Sequence, residues 1–171
     1  MNLHDYIREI PDFPEEGILF KDITPLLRDA EALRYAINSI KDHFREHEID
    51  YVAGIESRGF IIGTPLALAL NKGFIPIRKS GKLPHATLSV SYSLEYGSST
   101  LEIHRDALEP GDRILLADDL LATGGTVAAA AELIEGLDGK IVGITFLLEL
   151  LELEGRDKLK EYELYSLLTA E

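Results

Sequence analysis

Cysteine and tryptophan are both absent from this sequence of 171 residues, and methionine occurs once. Without cysteine the chain can form no disulfide bond and can use no thiolate as a nucleophile or metal ligand. This composition fits a reducing cytosol, so we expect a cytoplasmic protein. No apolar run approaches the ~20 residues that a membrane helix requires, and the early acidic residues of the N-terminus are unlike a signal peptide, so we expect no membrane contact.

Positive charge is also scarce. The chain has 17 lysine and arginine residues against 30 aspartate and glutamate residues, a formal net charge of −13. This balance argues against a nucleic-acid partner and against long-range steering of an anionic substrate. Any phosphate site must therefore be local, built from backbone N–H groups, Mg²⁺ and a few clustered cations. Length and a hydrophobic content of 46% predict one domain with its own core over residues 1–171.

One stretch in the second half of the chain has the pattern of an anion site. The apolar run Ile114–Ala117 reads as a buried strand, and good helix formers follow Gly125. Glycines in such a strand–turn–helix let the backbone approach a ligand, free N–H groups point at it, and the helix dipole adds positive charge. The spacing matches neither the P-loop nor the dinucleotide fingerprint. The turn between strand and helix consists of Ala122, Thr123, Gly124, Gly125 and Thr126.

Two adjacent carboxylates, Asp118 and Asp119, come directly before this turn. They would repel a phosphate unless they face another group, and ribose hydroxyls or a hydrated Mg²⁺ both suit them. The stretch therefore predicts a site for a ribose that carries a 5′-phosphate. The alternative is an ordinary strand–helix turn capped by Thr123, which leaves the two aspartates without a role.

The run from Asp118 to Thr126 resembles the 5-phosphoribosyl-1-diphosphate (PRPP) motif of the type I phosphoribosyltransferases. Its sequence is most similar to that of the adenine-specific members. Sequence similarity to this family extends from Phe13 to Leu168. The resemblance implies an α/β fold with a mostly parallel central sheet flanked by helices. It also implies a small N-terminal hood over about residues 1–28, a mobile β-ribbon lid over about residues 78–100, Mg²⁺ as cofactor and a homodimer.

In the N-terminal part, the sequence predicts a short helix over Leu3–Ile10. An apolar segment, Ile18 to Pro25, follows it. From spacing alone this segment is a packed loop anchored by Phe20. The resemblance implies instead that Phe-Lys-Asp-Ile-Thr-Pro belongs to the hood over the base. In that interpretation Phe20 stacks on adenine, and the backbone of Leu19 and Lys21 reads its edge.

A second strand-to-helix turn follows the apolar run Tyr51–Ile55 and consists of Glu56, Ser57, Arg58 and Gly59. Arg58 stands where α/β sheets place ligand contacts. The resemblance implies that this is the pyrophosphate loop, with a cis peptide between Glu56 and Ser57 and with Arg58 stabilising the leaving group. Because proline disrupts a helix interior, we expect the following helix to restart at Thr64–Pro65.

The densest positive cluster is Arg78-Lys-Ser-Gly-Lys-Leu-Pro84, followed by two alternating segments that predict a β-ribbon. It is either a basic surface hairpin or a lid that closes over pyrophosphate and excludes water. The resemblance implies the lid, with Arg78 and Lys82 on the phosphates. It also implies that Glu95 is the catalytic acid/base and that Tyr96 is its aromatic neighbour.

Two further clusters are given ordinary interpretations. His43 and His47 have a metal-like spacing, but no third ligand is evident nearby, so we predict no metal there. Glu149, Glu152 and Glu154 are expected to form a solvated face.

The resemblance implies that adenine and PRPP give AMP and pyrophosphate, a purine-salvage reaction. One alternative is the same transfer to hypoxanthine, xanthine or orotate. Another is a PRPP-sensing regulator without turnover, which would need a basic face or a DNA-binding appendage that this acidic chain lacks.

Overall fold

The computed structural model describes residues 1–94 and 97–171. Within these residues seven strands form one sheet in the order β5-β6-β4-β3-β7-β8-β9. The strands are β3 (Tyr51–Ile55), β4 (Gly73–Lys79), β5 (Thr87–Ser93), β6 (Ser98–His104), β7 (Arg113–Leu121), β8 (Lys140–Leu150) and β9 (Leu164–Ala170). Strands β4, β3, β7, β8 and β9 are parallel, and β6 and β5 extend one edge in antiparallel fashion. This is the mostly parallel α/β sheet that the sequence predicts.

Helices cover both faces of the sheet and divide the core into two apolar clusters. They are α1 (Thr24–Arg28), α2 (Ala30–His43), α3 (Arg58–Leu70) and α4 (Gly125–Gly136). Alternation along β7 decides which cluster each residue joins: Leu115 faces α2 and α3, whereas Leu116 faces α4. Because the central strands are buried on both faces, they read as continuous apolar runs.

The N-terminal segment differs from its prediction. Only Leu3–Tyr6 is helical, as a 3-10 turn, and Arg8–Pro11 (β1) pairs in antiparallel fashion with Leu19–Asp22 (β2). The predicted helix over Leu3–Ile10 was therefore wrong beyond Tyr6, because pairing of Ile10 with Phe20 prevails over local propensity. The packed loop that spacing alone predicts over Ile18 to Pro25 is also wrong, since Leu19–Asp22 is strand β2 and Thr24 begins helix α1.

Helix α3 runs without interruption from Arg58 to Leu70 with Pro65 in its interior, so the predicted restart at Thr64–Pro65 was wrong. Proline removes the donor that would reach the Ile61 carbonyl. Ile61 is 43% exposed, so water can replace that donor at little cost. None of the helices in residues 1–94 and 97–171 has both the length and the hydropathy to span a membrane.

Candidate active site

A cavity of about 470 Å³ opens at the carboxyl ends of β3 and β7. These strands are parallel neighbours, with Gly54 opposite Ala117, so the segments that follow them meet at one edge of the sheet. The predicted site residues that line the cavity are Glu56, Ser57, Arg58, Lys82, Asp118, Asp119, Ala122, Thr123, Gly124, Gly125 and Thr126. The structure therefore joins the two strand-to-helix turns that sequence analysis found separately.

Other predicted site residues lie elsewhere. Leu19, Phe20 and Lys21 belong to β2 in the hood and do not line this cavity. Glu95 and Tyr96 lie outside the described residues. At the end of β2, the Thr24 amide, and more weakly the charges of Arg8 and Arg58, lower the pKa of Asp22.

The turn before α4 has the backbone form of an anion cradle. Gly124 precedes the helix with φ 78°, and no side chain caps the helix N-terminus in the part of the chain described. Thr123 is therefore not the capping residue that the ordinary-turn alternative requires. The N–H groups of the first turn have no helical partner and point out of the helix start. The Thr126 hydroxyl lies 3.3 Å from the Tyr92 hydroxyl at the side of the turn.

A second turn, led by Gly155, presses directly against this cradle. A Cβ atom on Gly124 would lie 2.5 Å from the Gly155 carbonyl oxygen, and a Cβ on Gly155 would lie 2.2 Å from the Ala122 carbonyl oxygen. Real Cβ atoms do not approach backbone oxygens this closely, so each position requires glycine. The backbone of the cradle is therefore placed by its neighbour as well as by its own sequence.

Asp118 and Asp119 lie within β7, which continues to Leu121, four residues beyond the apolar run that predicted the strand. Both carboxylates line the cavity and lie against neighbouring residues at the start of α3. Asp119 is buried, and its carboxylate forms an ion pair with Arg58 Nε at 2.9 Å. Asp118 is half-buried, and its Oδ1 lies 2.7 Å from the position of a Cβ on Gly59, so only glycine there leaves room for α3.

The two carboxylates are costly to ionise in the ligand-free protein. Burial, and then the negative charge of Asp119, raise the pKa of Asp118 well above its usual range. Burial also raises the pKa of Asp119, against the opposing effect of Arg58. Such a pair is suited to binding hydrogen-bond donors or a cation, because either would stabilise the ionised carboxylates.

Glu56 also lines the cavity, and several basic groups surround its carboxylate. Its peptide bond to Ser57 is cis, as predicted. Its carboxylate is 6% exposed, accepts hydrogen bonds from Lys82 Nζ at 2.7 Å and from the Lys79 amide, and lies 3.6 Å from Arg78 Nη2. Burial raises the pKa of Glu56, but these donors outweigh it and leave the pKa below its ordinary value.

Some residues around the site were missed or misread from sequence. Lys79 lines the cavity beside Lys82, and the run of basic residues was the signal for it. Lys158 also lies beside the glycine turn, and no sequence pattern assigned it to the site. Glu149 was expected on a solvated face, but its side chain is 3% exposed, and its carboxylate accepts hydrogen bonds from Arg156 Nε at 2.6 Å and Nη2 at 2.7 Å. That expectation was wrong because the partner comes from the next turn.

The described residues contain no group of three His, Cys, Asp or Glu residues arranged to hold a metal ion. His43 and His47 instead share the carboxylate of Glu163, at 3.3 Å and 3.0 Å. Asp118 and Asp119 supply the oxygen ligands that Mg²⁺ prefers, but only two residues contribute them. Mg²⁺ commonly completes its coordination with water and substrate phosphates, so the pair fits that cation in the company of a phosphorylated substrate.

Comparisons with known proteins agree with this geometry. The phosphoribosyl transferase domain family matches residues 22–168. Adenine phosphoribosyltransferase from Halothermothrix orenii is 64% identical over 98% of this chain and 99% of its own length.

Solved structures agree as well. The chain resembles adenine phosphoribosyltransferase from Thermoanaerobacter pseudethanolicus with a TM-score of 0.95 and 51% identity, covering 98% of each chain. The Saccharomyces cerevisiae enzyme, solved with an imino-altritol bisphosphate and adenine, gives a TM-score of 0.91 and 41% identity over 96% of each chain. From its sequence, its fold and the layout of its cavity, the chain belongs to the phosphoribosyltransferase family, among the adenine phosphoribosyltransferases.

Proposed function

We propose that the chain transfers the 5-phosphoribosyl group of PRPP to N9 of adenine and releases AMP and pyrophosphate, a reaction of purine salvage. The observation that carries this proposal is the single cavity that joins an uncapped glycine turn, an aspartate pair and a basic wall. Relatives of the chain that cover almost its whole length bear the name of this enzyme.

The proposed donor site uses each wall of the cavity for one part of PRPP. The 5′-phosphate accepts hydrogen bonds from the backbone N–H groups of Ala122–Thr126 and from the threonine hydroxyls. Asp118 and Asp119 accept hydrogen bonds from the ribose 2′- and 3′-hydroxyls. These contacts fix the ribose with C1′ facing the hood.

The pyrophosphate wall stabilises the charge that develops as the bond from C1′ to the pyrophosphate oxygen breaks and the bond from N9 forms. We assign this role to Arg58, Arg78, Lys82 and the backbone of Glu56–Ser57. Bound with PRPP near Asp118 and Asp119, Mg²⁺ would supply further neutralisation of phosphate charge. Glu95 is proposed to take up or return a proton on the base, with Tyr96 beside it in the lid.

The hood supplies the proposed base site. Phe20 is partly buried and has the Phe13 ring against it, with centroids 5.1 Å apart. The Lys21 ammonium forms an ion pair with the Glu9 carboxylate at 2.5 Å. Because its side chain has this partner, we assign contact with the base to the Lys21 backbone.

We expect Phe20→Ala to raise KM for adenine roughly 10- to 100-fold, because base–aromatic stacking contributes ~1–3 kcal/mol. Lys21→Ala is the matched control: it retains the backbone and should leave that KM within about twofold. Steady-state kinetics at saturating PRPP measure both values. An equal loss in the two variants would contradict the assignment of base recognition to the Phe20 ring and the Lys21 backbone.

The same proposal includes the domain organisation of the chain, its oligomeric state and its location in the cell. The chain acts as one domain over residues 1–171, with a hood over about 1–28 and a lid over about 78–100. It works as a homodimer in the cytoplasm. Sedimentation measures the oligomeric state, and cell fractionation measures the location. Leu68 and Ile61, seven residues apart on α3, are 76% and 43% exposed and would be covered in such a dimer if it forms through this helix.

The activity assay uses purified protein, radiolabelled adenine, PRPP and a range of Mg²⁺ concentrations. We expect AMP formation that depends on PRPP and stops when Mg²⁺ is chelated. Hypoxanthine, xanthine and orotate in the same assay separate the adenine enzyme from its sister transferases. Absence of AMP at every Mg²⁺ concentration would overturn the proposed function.

A further inference from the structure

Lys158 stands beside the glycine cradle, on a segment that the donor site above does not use. Its Nζ lies 3.8 Å from the position of a Cβ on Gly125, the first residue of α4. It also lines a second cavity of about 610 Å³, together with Tyr92, Thr123, Gly125 and Thr126. The cradle therefore borders two cavities, of which Arg58 lines the first and Lys158 lines the second.

This position is electrostatically unusual. The N-terminus of a helix carries partial positive charge, so a lysine ammonium there is unfavourable unless an anion lies between them. Cations of the same segment are paired: Arg156 with Glu149, and Lys160 with Asp157 at 3.1 Å. Among the described residues no carboxylate forms an ion pair with Lys158 within 4.0 Å. The anion that would lie between this ammonium and the uncapped helix start is a ligand in the cradle.

The segment that carries Lys158 is held firmly at both ends. Gly155 lies against the Ala122 carbonyl, and Leu159 is fully buried in the core under α4. Between them, the Arg156 guanidinium holds the buried Glu149 carboxylate and lies 3.3 Å from the Ser166 hydroxyl. The 3-10 turn Gly155–Lys158 therefore has little freedom to move relative to the cradle.

We propose that Lys158 is a phosphate-binding residue of the donor site, which contacts the 5′-phosphate of PRPP and AMP from the side of the Tyr92 cavity. The inference rests on the proposed function, because it needs a ribose 5′-phosphate in the cradle. A lysine there adds a charged donor to a site otherwise made of neutral backbone and hydroxyl groups. Its ligand is a phosphomonoester dianion, so ligands without the 5′-phosphate do not depend on it.

The test compares Lys158→Gln with Lys158→Arg and with the matched control Lys160→Gln, two residues further along the chain. Isothermal titration calorimetry with AMP and with adenosine measures binding without turnover, at low and at physiological ionic strength. We expect Lys158→Gln to weaken AMP binding about tenfold or more and to leave adenosine binding unchanged. Lys158→Arg should retain AMP binding within about threefold, and Lys160→Gln should match the wild type. The loss in Lys158→Gln should be larger at low salt.

Two results would overturn the inference: AMP binding by Lys158→Gln equal to that of Lys160→Gln, or an equal loss for AMP and adenosine. The second result would assign Lys158 a structural role, which thermal unfolding of each variant checks separately. Failure of the proposed function is a different result, in which the wild type binds AMP but forms none from adenine and PRPP.

Discussion

Gly155→Ala is expected to raise KM for PRPP roughly 10- to 100-fold and to lower the free energy of unfolding by about 1–3 kcal/mol. The added Cβ would lie 2.2 Å from the Ala122 carbonyl oxygen and 2.8 Å from Leu121 Cδ1, so backbone must move to accept it. The backbone that moves belongs to the cradle, whose N–H groups must meet phosphate oxygens at hydrogen-bond distance. Steady-state kinetics and chemical denaturation measure the two effects.

The matched control is Gly136→Ala, in the last turn of α4. A Cβ there meets only Leu88 Cδ2, at 2.8 Å, which is the end of a flexible side chain. We expect this variant to keep the wild-type KM for PRPP. If Gly155→Ala also kept it, the cradle would not depend on its neighbouring turn. A loss of stability in Gly155→Ala without a change in KM would limit the contact to a structural role.

The parts of the site that are local in the chain could be predicted from the sequence. The cradle Ala122–Thr126 and the turn Glu56–Arg58 were each predicted, because glycine, threonine and a charged residue after an apolar run have a direct backbone meaning. Their convergence follows from parallel pairing of β3 with β7, which an α/β pattern implies. The central strands could be predicted for the same reason, since burial on both faces leaves an apolar run.

Contacts between distant segments could not be predicted in this way. Glu149 looked solvated because its sequence neighbours are acidic, and only the fold brings Arg156 to it. The ammonium of Lys158 reaches the start of α4 across a gap of more than thirty residues in the chain. The hood strand β2 was missed from spacing because its partner β1 has a helical pattern and lies across a proline-rich loop. In each case a tertiary partner decides what local propensity leaves open.

Asp118→Asn is expected to separate stability from activity. Asp118 is held with a raised pKa by burial and by Asp119, so its ionised form is less favourable in the folded protein than in the unfolded chain. A raised carboxyl pKa means that stability is highest when the group is protonated and falls as pH rises through the folded-state pKa. Above the pKa of an unfolded aspartate, the folded protein is therefore penalised relative to the unfolded chain at this group, and asparagine removes that penalty.

The ligand-free Asp118→Asn protein should accordingly have a higher Tm than the wild type at neutral pH, by roughly 2–4 °C for each kcal/mol of relieved cost. The difference should be smallest near pH 4 and should grow with rising pH until Asp118 is ionised in the wild type. Loss of a charged acceptor for a ribose hydroxyl should lower kcat/KM for PRPP roughly 10- to 100-fold. Differential scanning calorimetry across pH and steady-state kinetics measure the two trends.

Asp42→Asn on α2 removes the same formal charge from an exposed position and should change neither the pH trend nor the kinetics. A Tm difference between Asp118→Asn and wild type that stayed constant across pH would show that the effect does not come from titration of Asp118. A lower Tm at neutral pH would show that the carboxylate stabilises the empty site. The expected opposite signs follow from one cause: the ligand-free protein bears the cost of the Asp118 charge, and the hydroxyl donors and cation of a bound ribose phosphate offset that cost.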